Sequence, residues 1–180
     1  MSVDVDKAIA ELKTKVDGMP GGENKLTMIV MSGGLDKHLA AMIIATGAAA
    51  MGMQVVLFYT FWGLPALRAP KKKVGGKNLI EKMFGMMLPK GKNKLNLSKM
   101  NMAGIGPVMI QSLMKKQGVL SLDQMFKEAA ELGIEITICE MSMNLMGFKK
   151  EEMIDYPDLR YAGAATFVAD ANESSIHLFI

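Results

Sequence analysis

The residue best suited to carry out chemistry in this sequence is Cys139, the only cysteine among 180 residues. It directly follows Ile134–Ile138, where isoleucine alternates with polar residues and predicts a strand, and it precedes Met141–Gly147, which predicts a short turn or helix. At such a place, backbone N–H groups and the positive end of a helix dipole lower the pKa of a thiol. The thiol could then accept a sulfane sulfur as a persulfide and pass it to another thiol.

Two observations leave a structural role for Cys139 open. The neighbouring carboxylate of Glu140 disfavours a second negative charge, and lone cysteines are often small buried core residues. The position alone therefore predicts a reactive thiol and a core thiol equally. A single cysteine also excludes an intramolecular disulfide and a Cys-rich zinc site, which is typical of proteins from a reducing compartment.

A second candidate is the loop Ser32-Gly33-Gly34-Leu35-Asp36-Lys37, which follows the first predicted strand. It is similar to the phosphate-binding Ser-Gly-Gly-x-Asp-Ser loop of ATP pyrophosphatases, whose small residues let backbone N–H groups approach a phosphate. Lys37 stands where that pattern has its final serine, so a tight turn at the same sheet edge as Cys139 is the favoured interpretation. The loop is not a Gly-x-Gly-x-x-Gly fingerprint, and no cofactor is predicted.

The two histidines, His38 and His177, are far apart in sequence and lack metal-ligand spacing, so no metal site is predicted. His38 begins the helix after the glycine loop and could face the sheet edge, where an imidazolium would stabilise the Cys139 thiolate. The alternative is a solvated residue of the first helical turn. His177 falls in a predicted terminal strand, which favours a structural role.

These residues need a scaffold, and the pattern from Leu26 to Tyr59 predicts a strand, a helix and a strand, which together form a βαβ unit. The first strand is Leu26–Met31, the helix runs to about Met51, and the second strand is Met53–Tyr59. The remaining predicted elements are helices over Pro107–Lys116, over Leu122–Leu132 with Ser121 as its cap, and over Lys149–Ile154, and strands over Ala162–Ala169 and Ile176–Ile180.

The stretch Leu39–Leu67 contains no charged residue and is long enough to cross a bilayer. Before Gly52 it resembles a buried helix, and after Gly52 it is β-branched and aromatic, as in a buried parallel strand. A βαβ unit explains the missing charges, so no integral membrane segment is predicted, while peripheral association stays open. Val3–Val16 predicts an amphipathic helix without a signal-peptide pattern, and with the lone thiol this favours a cytoplasmic protein.

The stretch 61–107 is too long for an ordinary connection and predicts a lid, a docking surface or an assembly element. It holds an apolar patch, Met83–Leu88, between two groups of lysines. Only Phe84 lies between these groups as an aromatic platform, and the net charge of +3 is mild, so nucleic-acid binding is not predicted. A solvated loop is the default interpretation, and docking of an acidic carrier protein is the second. The 19 methionines are spread along the chain, which favours an adaptable core over a copper site.

Several strings between Lys25 and Phe167 are specific, namely Leu35-Asp36-Lys37, Ala48–Met53, Phe58–Leu64, Met83–Pro89, Leu97–Met102 and Cys139–Gly147. Together they resemble the DsrE/DsrF-like sulfur-relay family, in its larger, peroxiredoxin-named branch. The resemblance implies a three-layer, flavodoxin-like α/β domain with a mostly parallel sheet, homo-oligomerisation, and sulfur trafficking with rhodanese-like donors and TusA-like acceptors. It places the family's sulfur-accepting cysteine at Cys139. Peroxide chemistry usually needs a resolving cysteine, which this chain lacks.

The sequence thus predicts an N-terminal helix and linker over 1–22, and an α/β domain over 23–180 with a Met- and Lys-rich insertion at about 61–107. The predicted function is a sulfurtransferase or sulfur carrier that holds a persulfide on Cys139 and passes it to a partner thiol. Two alternatives stay open: a non-catalytic homo-oligomeric binding or assembly module in which Cys139 is structural, and a nucleotide-binding enzyme that uses the loop Ser32–Asp36. The residues expected to form the pocket around Cys139 are Ser32, Gly33, Gly34, His38, Trp62, Met141, Ser142 and Met143.

Overall fold

A computed structural model describes Ile9 and residues 23–72 and 74–180 of the chain. The helix predicted over Val3–Val16 therefore lies outside the described residues, apart from Ile9. Within the described residues, five strands form one sheet in the order β4-β3-β2-β1-β5, and all neighbouring strands are parallel. The strands are β1 (Glu23–Val30), β2 (Gln54–Tyr59), β3 (Glu135–Cys139), β4 (Leu159–Ala162) and β5 (Ser174–Phe179).

Helices connect the strands, as parallel pairing requires. They are α1 (Leu35–Ala50), α2 (Leu79–Met87), α3 (Ile105–Lys116), α4 (Leu122–Glu131), α5 (Glu140–Leu145) and α6 (Ala164–Glu173), with short 3₁₀ turns at Phe61–Leu67, Lys92–Lys94, Met102–Gly104 and Lys150–Glu152.

One face of the sheet carries the apolar core. Alternate residues of each strand point to this face because the side-chain period of a strand is two, and helices α1 and α4 pack side by side over it. The Ala- and Met-rich sequence of α1 lets the helix approach the sheet closely. The fully buried residues of this layer include Met28, Leu57, Tyr59, Ile136 and Ile138 from the strands, and Ala41, Met42, Ala45 and Ala129 from the helices.

The opposite face of the sheet is more polar and is covered by α6. Lys25 on β1 is buried and forms an ion pair with Asp170 of α6 at 2.8 Å, and the rings of Phe58 and Phe167 pack with their centroids 5.4 Å apart. Helices thus cover both faces. The prediction of a three-layer α/β domain with a flavodoxin-like arrangement is confirmed, and the sheet is parallel throughout the described residues.

The strand predicted over Ala162–Ala169 is wrong. Strand β4 ends at Ala162, and Gly163 then becomes the N-cap of helix α6. The four alanines of Ala164–Glu173 are strong helix formers, and they outweigh the strand propensity of the β-branched Thr166 and Val168. The last strand is also longer than predicted, because it begins at Ser174 rather than Ile176.

Arg68 organises the insertion over 61–107 from within. Its buried guanidinium donates hydrogen bonds to the carbonyls of Gly85, Leu88 and Pro89 at 3.1–3.3 Å, which holds the end of α2.

The charge-free stretch 39–67 divides between α1, β2 and a 3₁₀ turn. Among the described residues, no helix combines the length and the apolar character that crossing a bilayer needs.

Candidate functional site

Cys139 lies where the carboxyl ends of three adjacent strands meet. It is the last residue of β3 and the N-cap of α5, Ala162 at the end of β4 is its register partner, and Thr60 follows directly after β2. In open parallel sheets this edge is where ligands and reactive groups gather. The thiol itself is enclosed, because Cys139 is only 2% exposed.

A chain of two hydroxyl groups ends at the Cys139 sulfur. The Ser142 hydroxyl donates a hydrogen bond to Cys139 Sγ at 3.4 Å, and Thr60 Oγ1 lies 2.7 Å from Ser142 Oγ. Ser142 has one hydroxyl proton, so when it donates to sulfur the proton between the two hydroxyls must come from Thr60. The direction is therefore from Thr60 to Ser142 to Cys139, and both hydroxyl residues are buried.

This environment favours the thiolate form of Cys139. Burial alone raises the pKa of the thiol, but the hydroxyl and N–H of Ser142, the nearby Thr60 hydroxyl and the N–H of Met141 outweigh it, so the pKa lies below its ordinary value. The opposing carboxylate of Glu140 is paired, since Lys150 Nζ lies 2.7 Å from it. This ion pair weakens the repulsion between the Glu140 carboxylate and the Cys139 thiolate.

Met141, Met143 and Trp62, which were also expected at the pocket, differ in their exposure. Met143 is buried with Ser142, whereas Met141 is 55% exposed and Trp62 is 51% exposed. The 3₁₀ turn that contains Trp62 packs against α5, which contains both methionines. Exposed apolar side chains thus lie on the two segments that flank the buried thiol.

The loop Ser32–Gly34 lies at the same edge but is closed by its neighbours. A Cβ on Gly33 would come within 2.9 Å of the Trp62 carbonyl oxygen, so the close approach of the two segments requires glycine. The first N–H of helix α1, that of Leu35, donates to the Asn96 carbonyl at 2.7 Å. The carboxylate of Asp36 accepts a hydrogen bond from the Ser98 N–H at 2.8 Å. These contacts occupy groups that a phosphate would need, and they favour the tight-turn interpretation.

His38 is fully buried and contacts this loop rather than the thiol. Its Nδ1 lies 2.8 Å from the Gly34 carbonyl oxygen and its Nε2 lies 3.4 Å from that of Gly63. Burial lowers the pKa of His38, and the two carbonyls only partly offset this, so the neutral imidazole is favoured near pH 7. The geometry packs His38 between two turns and does not provide an imidazolium for Cys139.

The sequence interpretation missed two threonines, Thr60 and Thr137. Thr60 was visible only as the residue after a predicted strand. Thr137 lies on the same face of β3 as Cys139, two residues earlier, and its hydroxyl is buried without a hydrogen-bond partner among the described residues. Within the same part of the chain, no group of three or more His, Cys, Asp or Glu residues is arranged to hold a metal ion.

Comparison with known proteins gives the family. The model of the DsrE/DsrF/DrsH-like family matches residues 22–179, which include Thr60, Cys139 and Ser142. The chain belongs to this family. The DsrE/DsrF-like resemblance noted in the sequence is therefore confirmed.

Two relatives of this DsrE/DsrF/DrsH-like chain match over almost their whole length. The protein named "Uncharacterized protein YrkE" from Bacillus subtilis (strain 168) is 47% identical over 87% of this chain and 96% of its own length. The protein named "Sulfur carrier protein DsrE2" from Allochromatium vinosum is 35% identical over 88% of this chain and 99% of its own length. The crystal structure of the ychN protein from E. coli superposes with a TM-score of 0.49 and 10% identity, over 87% of this chain and 98% of that chain.

Proposed function

We propose that this protein carries sulfane sulfur as a persulfide on Cys139 and passes it to a partner thiol. The observation that carries the proposal is the hydroxyl chain from Thr60 through Ser142 to Cys139 Sγ, which favours a thiolate at the carboxyl edge of the sheet. Membership of the DsrE/DsrF/DrsH-like family and the 35% identical relative named as a sulfur carrier support the same chemistry.

The chemistry requires only one thiol. The Cys139 thiolate attacks the outer sulfur of a donor persulfide, a bond forms between Sγ and that sulfur, and the donor leaves as a thiolate with the electron pair of the broken sulfur–sulfur bond. Attack by an acceptor thiolate on the same outer sulfur then releases Cys139. No external oxidant or reductant is consumed, so the absence of a second cysteine from the sequence does not prevent the cycle.

The unpartnered Thr137 hydroxyl also supports the proposal. A buried hydroxyl without a partner lowers the stability of the fold. The Thr137 hydroxyl is such a group, and Thr137 lies two residues before Cys139 on the same face of β3. A persulfide adds a second sulfur to Cys139, and this atom is an additional acceptor on the same face of the strand. We propose that the outer sulfur lies on the Thr137 side of Cys139 and accepts a hydrogen bond from the Thr137 hydroxyl.

Partner proteins complete the proposed cycle. A thiol that is 2% exposed exchanges sulfur when the segments around it move, and docking of a partner against the exposed Trp62 and Met141 would favour this movement and bring the second thiol. We propose rhodanese-like donors and TusA-like acceptors for these roles. A reducing cytoplasm is the proposed setting, since it keeps the single thiol free.

We further propose that the protein is a homo-oligomer. Exposed apolar surface can mark an interaction site, and two helices on or beside the insertion expose most of their apolar residues. Twelve basic residues and one acidic residue fall within 68–116, so this region also suits docking of a partner protein with an acidic surface. The exposed apolar residues are Leu79, Ile80, Met83, Met86 and Met87 of α2 and Ile105, Val108, Met109 and Leu113 of α3.

The oligomer is tested by native mass spectrometry of the full chain. The double substitution Met86→Glu and Met87→Glu should reduce the subunit number, because it places two charges in the apolar surface. Met51→Glu is the matched control, since Met51 is equally exposed but lies at the end of α1. A wild-type chain that is monomeric at micromolar concentration would contradict the proposal.

Sulfur transfer is tested by intact mass spectrometry after incubation with inorganic polysulfide. A gain of about 32 Da, one sulfur atom, is expected in the wild type, and it should be absent in Cys139→Ser. The same experiment tests the non-catalytic alternative, which the burial of Cys139 favours. In that case, wild type and Cys139→Ser would both remain unmodified, and the assembly of the chain would be unaffected.

A further inference from the structure

The hydrogen-bond donors around Cys139 are directed at its Sγ atom. The Ser142 hydroxyl donates to Sγ at 3.4 Å, and the N–H groups of Met141 and Ser142, in the first turn of α5, also contribute to stabilising the thiolate. Thr60 directly follows the neighbouring strand β2, and its Oγ1 lies 2.7 Å from Ser142 Oγ. Because Ser142 and Thr60 are buried, packing fixes this arrangement.

A persulfide carries its negative charge on a different atom from a thiolate, whose charge lies on Sγ. The charge of an ionised persulfide lies on the outer sulfur, about 2.0 Å beyond Sγ. Ser142 has a single hydroxyl proton, already directed at Sγ, so it cannot serve both sulfurs equally. The Ser142–Thr60 pair is therefore more complementary to the discharged thiolate than to the loaded persulfide.

We propose that Ser142 and Thr60 make Cys139 a sulfur donor, by stabilising the thiolate that forms when its persulfide transfers the outer sulfur to an acceptor thiol. This inference rests on the proposed function and adds to it the direction of transfer and the residues that set it. Ser142 contacts the reacting sulfur and is a catalytic residue in this sense. Thr60 acts through Ser142 and is a positioning residue.

The step balances without a co-reactant. The acceptor thiolate attacks the outer sulfur of the Cys139 persulfide, and a new sulfur–sulfur bond forms with the acceptor. The bond between the outer sulfur and Sγ breaks, and its electron pair stays on Sγ, where Ser142 stabilises the charge. The persulfide reacts in its protonated form, so the proton of the outer sulfur travels with it to the acceptor. A leaving thiol of lower pKa departs faster, so the hydroxyl chain accelerates this step.

The protein contains a matched pair of hydroxyls without a thiol. Thr27 Oγ1 and Ser174 Oγ also lie 2.7 Å apart, both are buried, and they join β1 to the first residue of β5. Substitution of Ser174 therefore removes a similar hydrogen bond from the same sheet while leaving the surroundings of Cys139 intact. Ser174→Ala is the control for the structural effect of Ser142→Ala.

The experiment measures how fast the loaded protein discharges. Full-length wild type, Ser142→Ala, Ser142→Thr, Thr60→Val and Ser174→Ala are loaded with inorganic polysulfide, desalted and mixed with free cysteine as the acceptor, and the loss of one sulfur is followed by intact mass spectrometry. Ser142→Ala should discharge about tenfold more slowly, the effect of one hydrogen bond to a charged group. The near-isosteric Thr60→Val should slow the discharge less. Ser142→Thr and Ser174→Ala should resemble the wild type.

A second readout does not depend on sulfur loading. The pKa of the Cys139 thiol, measured from the pH dependence of thiolate absorbance, should rise in Ser142→Ala and Thr60→Val and stay unchanged in Ser174→Ala. Normal loading with unaltered discharge and thiol pKa in Ser142→Ala would overturn the assignment of direction alone. A wild type that takes up no sulfur would overturn the proposed function as well, whatever the thiol pKa.

Discussion

Arg68 and Glu152 form an ion pair of 3.3 Å in which each side chain is only 3% exposed. Lys77 pairs with the same carboxylate, and the guanidinium of Arg68 stacks over the ring of Phe148 with Cζ 4.6 Å from the ring centroid. Two buried cations thus depend on one anion. This cluster joins the insertion to the segment that follows α5, so the insertion is an integral part of the domain.

The cluster predicts a large effect for Glu152→Gln. Removal of the carboxylate leaves Arg68 and Lys77 buried without an anion, which should lower the free energy of unfolding by about 3 kcal/mol. Urea denaturation at pH 7 measures this loss. Asp155→Asn is the control, because Asp155 pairs with Lys72 at 2.7 Å but is 91% exposed, and it should cost less than about 1 kcal/mol. Equal losses in the two variants would contradict the prediction.

His38 predicts a pH dependence of stability. Burial lowers the pKa of the folded imidazole below its ordinary value, while the unfolded chain takes up its proton near pH 6.5. Below pH 6.5 the unfolded state therefore binds more protons, and the free energy of unfolding falls as the pH drops toward the folded pKa. Above pH 6.5 this effect fades, because the unfolded imidazole is then also mostly neutral.

Denaturation at intervals from pH 7.5 to 5 tests the sign of this effect. The decline should be smaller in His38→Gln and unchanged in His177→Gln, since His177 is exposed on β5. Only the slope against pH is compared, because His38→Gln also loses contacts with Gly34 and Gly63. A His38→Gln slope equal to that of the wild type would show that the buried imidazole does not control this range.

Gly63 and Gly47 should respond to alanine in opposite ways. A Cβ on Gly63 would overlap the Val30 carbonyl oxygen, so Gly63→Ala should lower the free energy of unfolding by about 2–3 kcal/mol. Gly47 lies inside α1 with open space around its Cα, so Gly47→Ala should raise that free energy by about 0.5–1 kcal/mol. Thermal denaturation of both variants is sufficient, and a destabilised Gly47→Ala would refute the packing argument.

Several features of the site could be predicted from local sequence. The alternation before Cys139 ends a strand, and a strand end in a parallel sheet is an edge where reactive groups gather. Ser142 follows three residues later, within reach of the first helical turn. The βαβ pattern from Leu26 to Tyr59 likewise predicted two paired strands, which the structure contains.

The remaining features depend on contacts between distant segments. Thr60 and Ser142 are 82 residues apart, and their hydroxyls meet because β2 and β3 pair in a particular register, which no local pattern specifies. Burial of His38 depends on the turn at Gly63 folding back over α1. The strand error at Ala162–Ala169 has a different origin, because residues of helix and strand propensity are mixed there and Gly163 decides where the helix begins.

Thr137 and Thr27 provide a final contrast on the polar face of the sheet. Both are fully buried, but Thr27 shares a hydrogen bond with Ser174, whereas the Thr137 hydroxyl has no partner among the described residues. Thr137→Val should therefore raise the free energy of unfolding by about 1 kcal/mol, and Thr27→Val should lower it by a similar amount. Urea denaturation distinguishes the two signs.

The same Thr137 variant separates stability from function. If the hydroxyl contacts the outer sulfur of a Cys139 persulfide, Thr137→Val should be more stable yet lose its bound sulfur faster after loading with polysulfide. Mass spectrometry of the loaded protein over time measures this loss, with Thr27→Val as the control for changes on the same face. A Thr137→Val protein that is destabilised like Thr27→Val would mean that the hydroxyl is already satisfied in the folded protein, and its proposed contact with sulfur would then be wrong.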